Sequence, residues 1–236
     1  MKQNEYQTLN EDAIVRTVSA LERRVMERFP NRGLAQTAAH LLVLSERSAR
    51  EARSLGRPGW LPRLIALLTV IGGIGALYFL GRLLPPLQQN DLNLSELAQG
   101  LDAVFNILVI SGLVVAFMIG LEARFKRRKA LGGLYRLRAL SHVIDMHQLT
   151  KDPASIVGNE RTESSPARDL SHTQLLRYLD YCAEMLAMIG KLAALYAQHF
   201  PDATVISAVN DVETLTTNLS RKIWQKIVIV QGEPQD

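Results

Sequence analysis

Cysteine is nearly absent from this sequence, since Cys182 is the only one among 236 residues. An intrachain disulfide is therefore excluded. No metal-type Cys/His spacing surrounds this thiol, which falls on an apolar helical stripe and is expected to lie in a core. The HExxH, GxSxG, P-loop, GxGxxG and paired-carboxylate patterns are also missing. We therefore expect no cofactor, no metal and no enzymatic activity, with one residue cluster kept in reserve and described below.

Charge is absent from two long apolar runs. Residues 64–80 and 103–121 contain no Asp, Glu, Lys or Arg. As helices they would measure roughly 25 and 28 Å, close to the ~30 Å hydrocarbon core of a bilayer. The alternative is a pair of buried helices, but a small soluble domain rarely needs two that are uncharged around their whole circumference. The sequence therefore predicts transmembrane helices at 62–84 and 101–122, with a short external loop at 85–100.

Positive charge is missing from the connection between these runs. Residues 83–102 contain no Lys or Arg, whereas residues 122–138 contain seven against one acidic residue. The positive-inside rule then places both termini in the cytoplasm. We therefore expect a multi-pass protein of the bacterial inner (plasma) membrane, with cytoplasmic segments on both sides of a transmembrane hairpin.

A basic cluster follows the second run in the stretch AFMIGLEARFKRRK. We expect its five cations to stop translocation and to bind anionic lipid headgroups; they are Arg124, Lys126, Arg127, Arg128 and Lys129. Nucleic-acid binding is the competing interpretation. It is disfavoured because the cluster is followed by residues 139–236, which carry eight cations and twelve acids.

Small residues recur inside both runs and are typical of close helix packing in lipid. They are Gly72, Gly73 and Ala76 in the first run and Gly112, Ala116 and Gly120, four residues apart, in the second. Two interpretations are open. The small residues either pack the hairpin on itself or provide the interface of a homo-oligomer.

The flanking segments show helical periodicity with 4-3 spacing of apolar residues. We predict an N-terminal helical hairpin at 1–59, a basic juxtamembrane helix at 123–149, a mobile loop at 150–170, and an antiparallel helix pair, of coiled-coil type, at 171–231. The predicted buried stripes are Ile14, Val18, Leu21, Val25, Phe29; Leu34, Ala38, Leu41, Ser45, Ser48, Ala52, Leu55; Leu175, Leu179, Cys182, Leu186, Ile189, Ala193, Tyr196; and Val205, Val209, Val212, Thr216, Leu219, Ile223, Val230. The predicted fold is thus an all-α membrane protein with a two-helix transmembrane hairpin and cytoplasmic helical domains.

Helix ends are predicted from short local signals. Three pairs of residues have the spacing of a capping box. They are Thr8 with Glu11, Ser171 with Gln174 and, ahead of the second run, Asn93 with Glu96. Gly132 and Gly133 are expected to loosen the helix that continues from the second run to Leu149.

His142, Asp145 and His147 form the cluster kept in reserve as a metal or acid/base site. At 100° per residue, His142 and Asp145 are about 60° apart and can touch, whereas His147 is about 140° from His142. The three side chains therefore do not converge from one helix, and a surface His–Asp pair is the simpler interpretation.

The layout of helical segments around a two-span hairpin resembles that of mitochondrial-uniporter-type channels. Residues 97–105, LAQGLDAVF, lack the acidic signature which that family carries at the mouth of its second span. The layout and size are also similar to those of two-span bacterial immunity effectors that accompany retron or cyclic-nucleotide systems. This second resemblance implies membrane permeabilisation as an alternative function.

The leading functional hypothesis is a non-enzymatic inner-membrane protein. Its cytoplasmic helical domain would bind a protein partner or signal and couple it to an oligomeric transmembrane hairpin. A membrane-permeabilising effector, a passive anchor of a multiprotein complex, and an enzyme using the His142 cluster are the alternatives.

Overall fold

The computed structural model describes residues 8–57, 59–83, 94–149, 151 and 170–232. Within these ranges the chain forms six helices and no strand, which confirms the all-α prediction. The helices are α1 (Glu11–Arg28), α2 (Gly33–Gly56), α3 (Trp60–Leu83), α4 (Leu94–Leu149), α5 (His172–His199) and α6 (Ala203–Gln231).

The chain divides into two compact units. The bundle unit contains residues up to 56 and from 127 onward, so it is built from α1, α2, the C-terminal part of α4, α5 and α6. The apolar unit contains residues 57–126, which form α3 and the N-terminal part of α4. One helix, α4, therefore belongs to both units.

The core of the bundle unit consists of the apolar stripes of its helices. Every residue of the four predicted stripes is buried, including the hydroxyl-bearing residues Ser45, Ser48 and Thr216. The C-terminal part of α4 adds Ala130, Leu134, Leu137, Leu140 and Ile144 to this core. The 4-3 periodicity of the sequence thus identified the buried face of each helix, because residues three or four apart lie on the same side of a helix.

Two of the predicted helix ends can be compared with the structure. The capping box of Ser171 and Gln174 is confirmed, with the Ser171 hydroxyl accepting from the Gln174 N–H at 3.2 Å. The Thr8–Glu11 box is wrong, because Asn10 is the N-cap and its side chain accepts from the Ala13 N–H at 2.9 Å. An Asn side chain caps a helix as well as Ser or Thr does, so the Thr8–Glu11 spacing alone did not identify the N-cap residue. The predicted Asn93–Glu96 box lies outside the described residues.

The pair formed by α5 and α6 is antiparallel. Phe200, Pro201 and Asp202 reverse the chain, and the Asp202 carboxylate caps α6 by accepting from the N–H groups of Thr204 and Val205. At the far end, His172 Nε2 lies 2.7 Å from the carbonyl oxygen of Val230, so the start of α5 meets the end of α6.

Helix α4 is continuous over 56 residues and passes through Gly132 and Gly133 without interruption. The prediction that these glycines loosen the helix is wrong. Gly133 instead permits close packing, because a Cβ atom at this position would overlap the side chain of Tyr196 on α5. The helix also begins at Leu94, so residues 94–100 of the predicted external loop are helical. Residues 85–93 of that loop and residues 150 and 152–169 of the predicted mobile loop lie outside the described residues.

One helix in the described part of the chain is long and apolar enough to cross a membrane. It is the segment Ala98–Leu149 of α4, whose most apolar 18-residue window has a mean hydropathy of 2.5 and is not buried. The apolar stretch of α3, Leu64–Phe79, is shorter. The structure is thus compatible with membrane association through α4, and the span predicted at 62–84, in α3, is not confirmed.

Candidate functional site

The five cations of the basic cluster have different environments. The structure places Arg124 and Arg128 at the surface, without a hydrogen bond or ion pair to any residue it describes. The other three are engaged within the chain, as described next. The cluster is therefore not a uniform set of free charges, and the two arginines are its members without a partner in the described chain.

Arg127 forms the strongest of the intramolecular contacts of the basic cluster. Its guanidinium donates to both carboxylate oxygens of Asp202, at 2.9 and 2.6 Å, which ties α4 to the first turn of α6. The hydrogen bonds from Arg127, with those from the backbone of α6, lower the pKa of the Asp202 carboxyl. Lys129 donates to the Ser54 hydroxyl at 2.8 Å. Within the apolar unit, Lys126 pairs with Glu122 at 2.8 Å.

The small residues of the apolar unit divide into one that packs and five that do not. A Cβ atom on Gly73 would lie 3.3 Å from Ile107 Cγ2 and 3.4 Å from Ser111 Oγ, so Gly73 is where α3 meets α4. Cβ atoms on Gly72, Gly112 and Gly120 would meet nothing within 4 Å, and Ala76 and Ala116 are exposed. Of these six residues, Gly73 is thus the one that the structure places against the neighbouring helix.

The reserve cluster is not assembled into a site. His147 Nε2 lies 3.0 Å from the hydroxyl of Thr37, and Asp145 accepts a hydrogen bond from Gln148 at 2.6 Å. His142 is exposed, and no hydrogen bond joins it to Asp145 among the described residues. No group of three or more His, Cys, Asp or Glu side chains arranged to hold a metal occurs in the described part of the chain.

Cys182 is a core residue, as its position on an apolar stripe predicted. It has no exposed surface, and burial raises the pKa of its thiol to about 12. A thiol that remains protonated at neutral pH is a poor nucleophile and a poor metal ligand.

The most connected polar group of the bundle unit is Glu51, on α2. Its carboxylate accepts from Arg47 Nε at 2.8 Å, from Arg136 of α4 at 2.6 Å, and from the Tyr196 hydroxyl of α5 at 3.0 Å. We call Glu51 and these three donors the Glu51 cluster. It joins α2, α4 and α5 at one point. The sequence did not reveal it, because its members are up to 145 positions apart.

The protonation states of the Glu51 cluster follow from its burial and its charges. Burial raises the pKa of Glu51, but the hydrogen bonds from Arg47 and Tyr196 and the charge of Arg136 outweigh this effect and lower it. Burial, together with the adjacent carboxylate, raises the pKa of Tyr196 to about 12. At neutral pH the cluster therefore contains a carboxylate and a neutral phenol that donates to it.

An open groove lies next to the Glu51 cluster, between α2 and the C-terminal part of α4. Its volume is about 530 Å³. Its lining residues are Gly33, Gln36, Thr37, His40, Val43, Leu44 and Arg47 from α2, and Arg136, Ala139, Leu140, Val143 and His147 from α4. His147 of the reserve cluster thus contributes to a groove wall.

Acid is expected to destabilise the bundle unit through Asp202, Glu51 and Glu11. Each has a lowered pKa in the folded chain; for Glu11, its own backbone and His199 outweigh the opposing effect of burial. A lowered folded pKa means that the unfolded chain binds protons first, so stability is constant well above the ordinary values near 4 and falls as pH drops through them. Urea unfolding of the full chain at pH 7, 5, 4 and 3 measures this loss.

The matched variant for this pH series is Asp202→Asn. Asparagine caps a helix as well as aspartate does, but it has no charge to lose. We expect a shallower decrease between pH 5 and 3 than in the wild type. An unchanged profile in Asp202→Asn would show that the pair of Arg127 with Asp202 does not contribute to acid sensitivity.

Comparison of the chain with protein-family models, curated proteins and solved structures finds no match.

Proposed function

We propose that this chain is a non-enzymatic membrane protein in which a helical bundle senses a partner or signal and transmits it to an oligomeric transmembrane hairpin. The hairpin would consist of α3 and the N-terminal part of α4, in a bacterial inner membrane with both termini in the cytoplasm. The observation that carries the proposal is that α4 is one 56-residue helix shared by the two units.

The part of α4 that lies in the apolar unit is suited to a lipid environment. Leu113 and Phe117 are 70% and 64% exposed, and no residue in the most apolar window of the helix is buried. Exposed apolar surface of this extent is unfavourable in water, and a bilayer would cover it. For α3, the uncharged residues 64–80 and a helix length of 24 residues, roughly 36 Å, support a second span.

The way α4 is held in the bundle supports its role as a transmitter. The frame of the bundle is formed by the contacts of α5 with α6, α1 with α2, α2 with α5 and α1 with α5. The C-terminal part of α4 is attached through its buried leucines and through polar contacts such as Arg136–Glu51 and Lys226–Gln148. A ligand or partner that altered these contacts would act on the helix that continues into the apolar unit.

The oligomer is proposed to form along the ridge of Gly112, Ala116 and Gly120. These residues lie on one face of α4, and within the described chain no neighbouring helix covers them. Small residues let two helices approach closely, and close packing drives association in lipid. The exposed ridge is thus available to a second copy of the chain.

The test is the double variant Gly112→Leu/Ala116→Leu in the full chain. We expect the crosslinked fraction in membranes to fall at least about tenfold, because leucine side chains on the ridge would prevent the close approach of two helices. The matched variant Gly72→Leu/Ala76→Leu makes the same change on exposed positions of α3 and should retain crosslinking. Unchanged crosslinked species in the α4 variant would refute the proposed interface.

A further inference from the structure

We propose that the groove between α2 and α4 binds a small organic anion, consisting of one carboxylate or phosphate group on an apolar body. This inference deepens the proposed function, on which its signalling role rests, by naming the chemical class of the signal. The binding site itself depends only on the residues of the groove.

The volume and the apolar lining of the groove fit a small molecule. A volume of about 530 Å³ falls within the range of roughly 300–1,000 Å³ typical of small-molecule sites. Val43 and Leu44 on α2 face Ala139, Leu140 and Val143 on α4, which gives the groove an apolar lining. An apolar ligand body would be removed from water there.

The charge of the groove favours an anion. Arg47 and Arg136 line it from opposite helices, and both donate to the same carboxylate, that of Glu51. Two guanidinium groups therefore share one negative charge. None of the described lining residues is acidic, so positive charge is in excess in the groove.

Arg136 also has an unused donor. Its Nε atom is buried and makes no hydrogen bond to any residue that the structure describes. A buried donor without an acceptor is costly, and Glu51 leaves part of the hydrogen-bonding capacity of Arg136 unsatisfied. Arginine is well suited to the proposed anion because its planar group matches carboxylate and phosphate geometry.

Ligand binding in this groove would act directly on α4. One wall belongs to α2, which packs on α1 and α5, and the other belongs to α4, which continues into the apolar unit. An anion held between Arg47 and Arg136 would therefore change how firmly α4 is held by the rest of the bundle.

The test uses the full chain in nanodiscs of zwitterionic lipid, with 2-naphthoate and its uncharged analogue 2-naphthamide as probes in equilibrium dialysis. We expect saturable binding of naphthoate and at least about tenfold weaker binding of naphthamide, because a charge-assisted hydrogen bond is lost. Equal binding of the two probes would overturn the proposal.

Two surface variants locate the site with little effect on folding. Val43 is 63% exposed at the rim of the groove, so Val43→Trp should fill it and reduce naphthoate binding at least about tenfold. Arg47→Gln should weaken naphthoate binding without affecting naphthamide. Arg50→Gln is the matched control, since Arg50 pairs with Glu46 on the same helix and does not line the groove. Wild-type binding in Val43→Trp would refute this location.

A competition experiment identifies the source of the anion. Displacement of naphthoate by oleate added to the nanodiscs would assign the site to a membrane-derived fatty anion, whereas its retention would assign the site to a soluble one. The crosslinking assay of the proposed oligomer is read separately. Naphthoate binding without any change in crosslinking would support the site and count against its coupling, while crosslinking without naphthoate binding would overturn the site alone.

Discussion

Replacing Glu51 with alanine is expected to lower the free energy of unfolding of the bundle unit by about 2–4 kcal/mol. Loss of one partner from a buried charge pair costs about 3–5 kcal/mol. We expect a smaller cost here because Arg47 and Arg136 are partly exposed to solvent. The variant removes the only acceptor that the structure gives for the Tyr196 hydroxyl and leaves the guanidinium of Arg136 without its carboxylate. Urea unfolding followed by helical ellipticity measures the change.

The control for this variant is Glu46→Ala on the same helix. Glu46 pairs with Arg50 at 3.7 Å, and both side chains are largely exposed, so the loss should be at most about 0.5 kcal/mol. Equal destabilisation by the two substitutions would show that the Glu51 cluster is not a special point of attachment between α2, α4 and α5.

Replacing Gly133 with alanine is expected to destabilise the bundle unit by about 1–3 kcal/mol, although alanine is normally the better helix former. The added methyl group would overlap the ring and hydroxyl of Tyr196, which has no exposed surface and therefore cannot move into solvent. Either α4 moves away from α5 or the Tyr196–Glu51 hydrogen bond is broken. The measurement is again the urea midpoint of the full chain.

The neighbouring Gly132→Ala is a close control for this prediction. A Cβ atom at Gly132 would meet only Arg136 Nη1, at 3.7 Å, which is an ordinary contact with a flexible side chain. Alanine has a higher helix propensity than glycine, and no clash opposes it at this position. Gly132→Ala should therefore raise the free energy of unfolding of the bundle unit by up to about 1 kcal/mol. The two adjacent substitutions should therefore change the free energy of unfolding in opposite directions. A change in the same direction for both would contradict the packing of Gly133 on Tyr196.

Both predictions bear on the proposed function, because Glu51 and Gly133 are points at which α4 is held in the bundle. Variants that weaken either point should loosen the attachment of α4 without altering the apolar part of the same helix. Their effects on crosslinking then report on coupling, whereas the variant Gly112→Leu/Ala116→Leu reports on the interface.

The sequence by itself determined the helices and their buried faces. The apolar residues of α1, α2, α5 and α6 recur every three or four positions, and helix geometry alone places such residues on one side. The same local reasoning located the two uncharged runs. These features depend on residues close together in the chain, so their spacing contains the necessary information.

Only the tertiary structure decided how these helices meet and which polar groups they share. The Glu51 cluster, the pair of Arg127 with Asp202 and the groove between α2 and α4 join residues 75 to 145 positions apart, and no local spacing predicts them. Gly133 and Gly73 differ from the other glycines only in what lies opposite them. The physical reason is that helical periodicity fixes the direction of a side chain, whereas its partner depends on how distant helices pack.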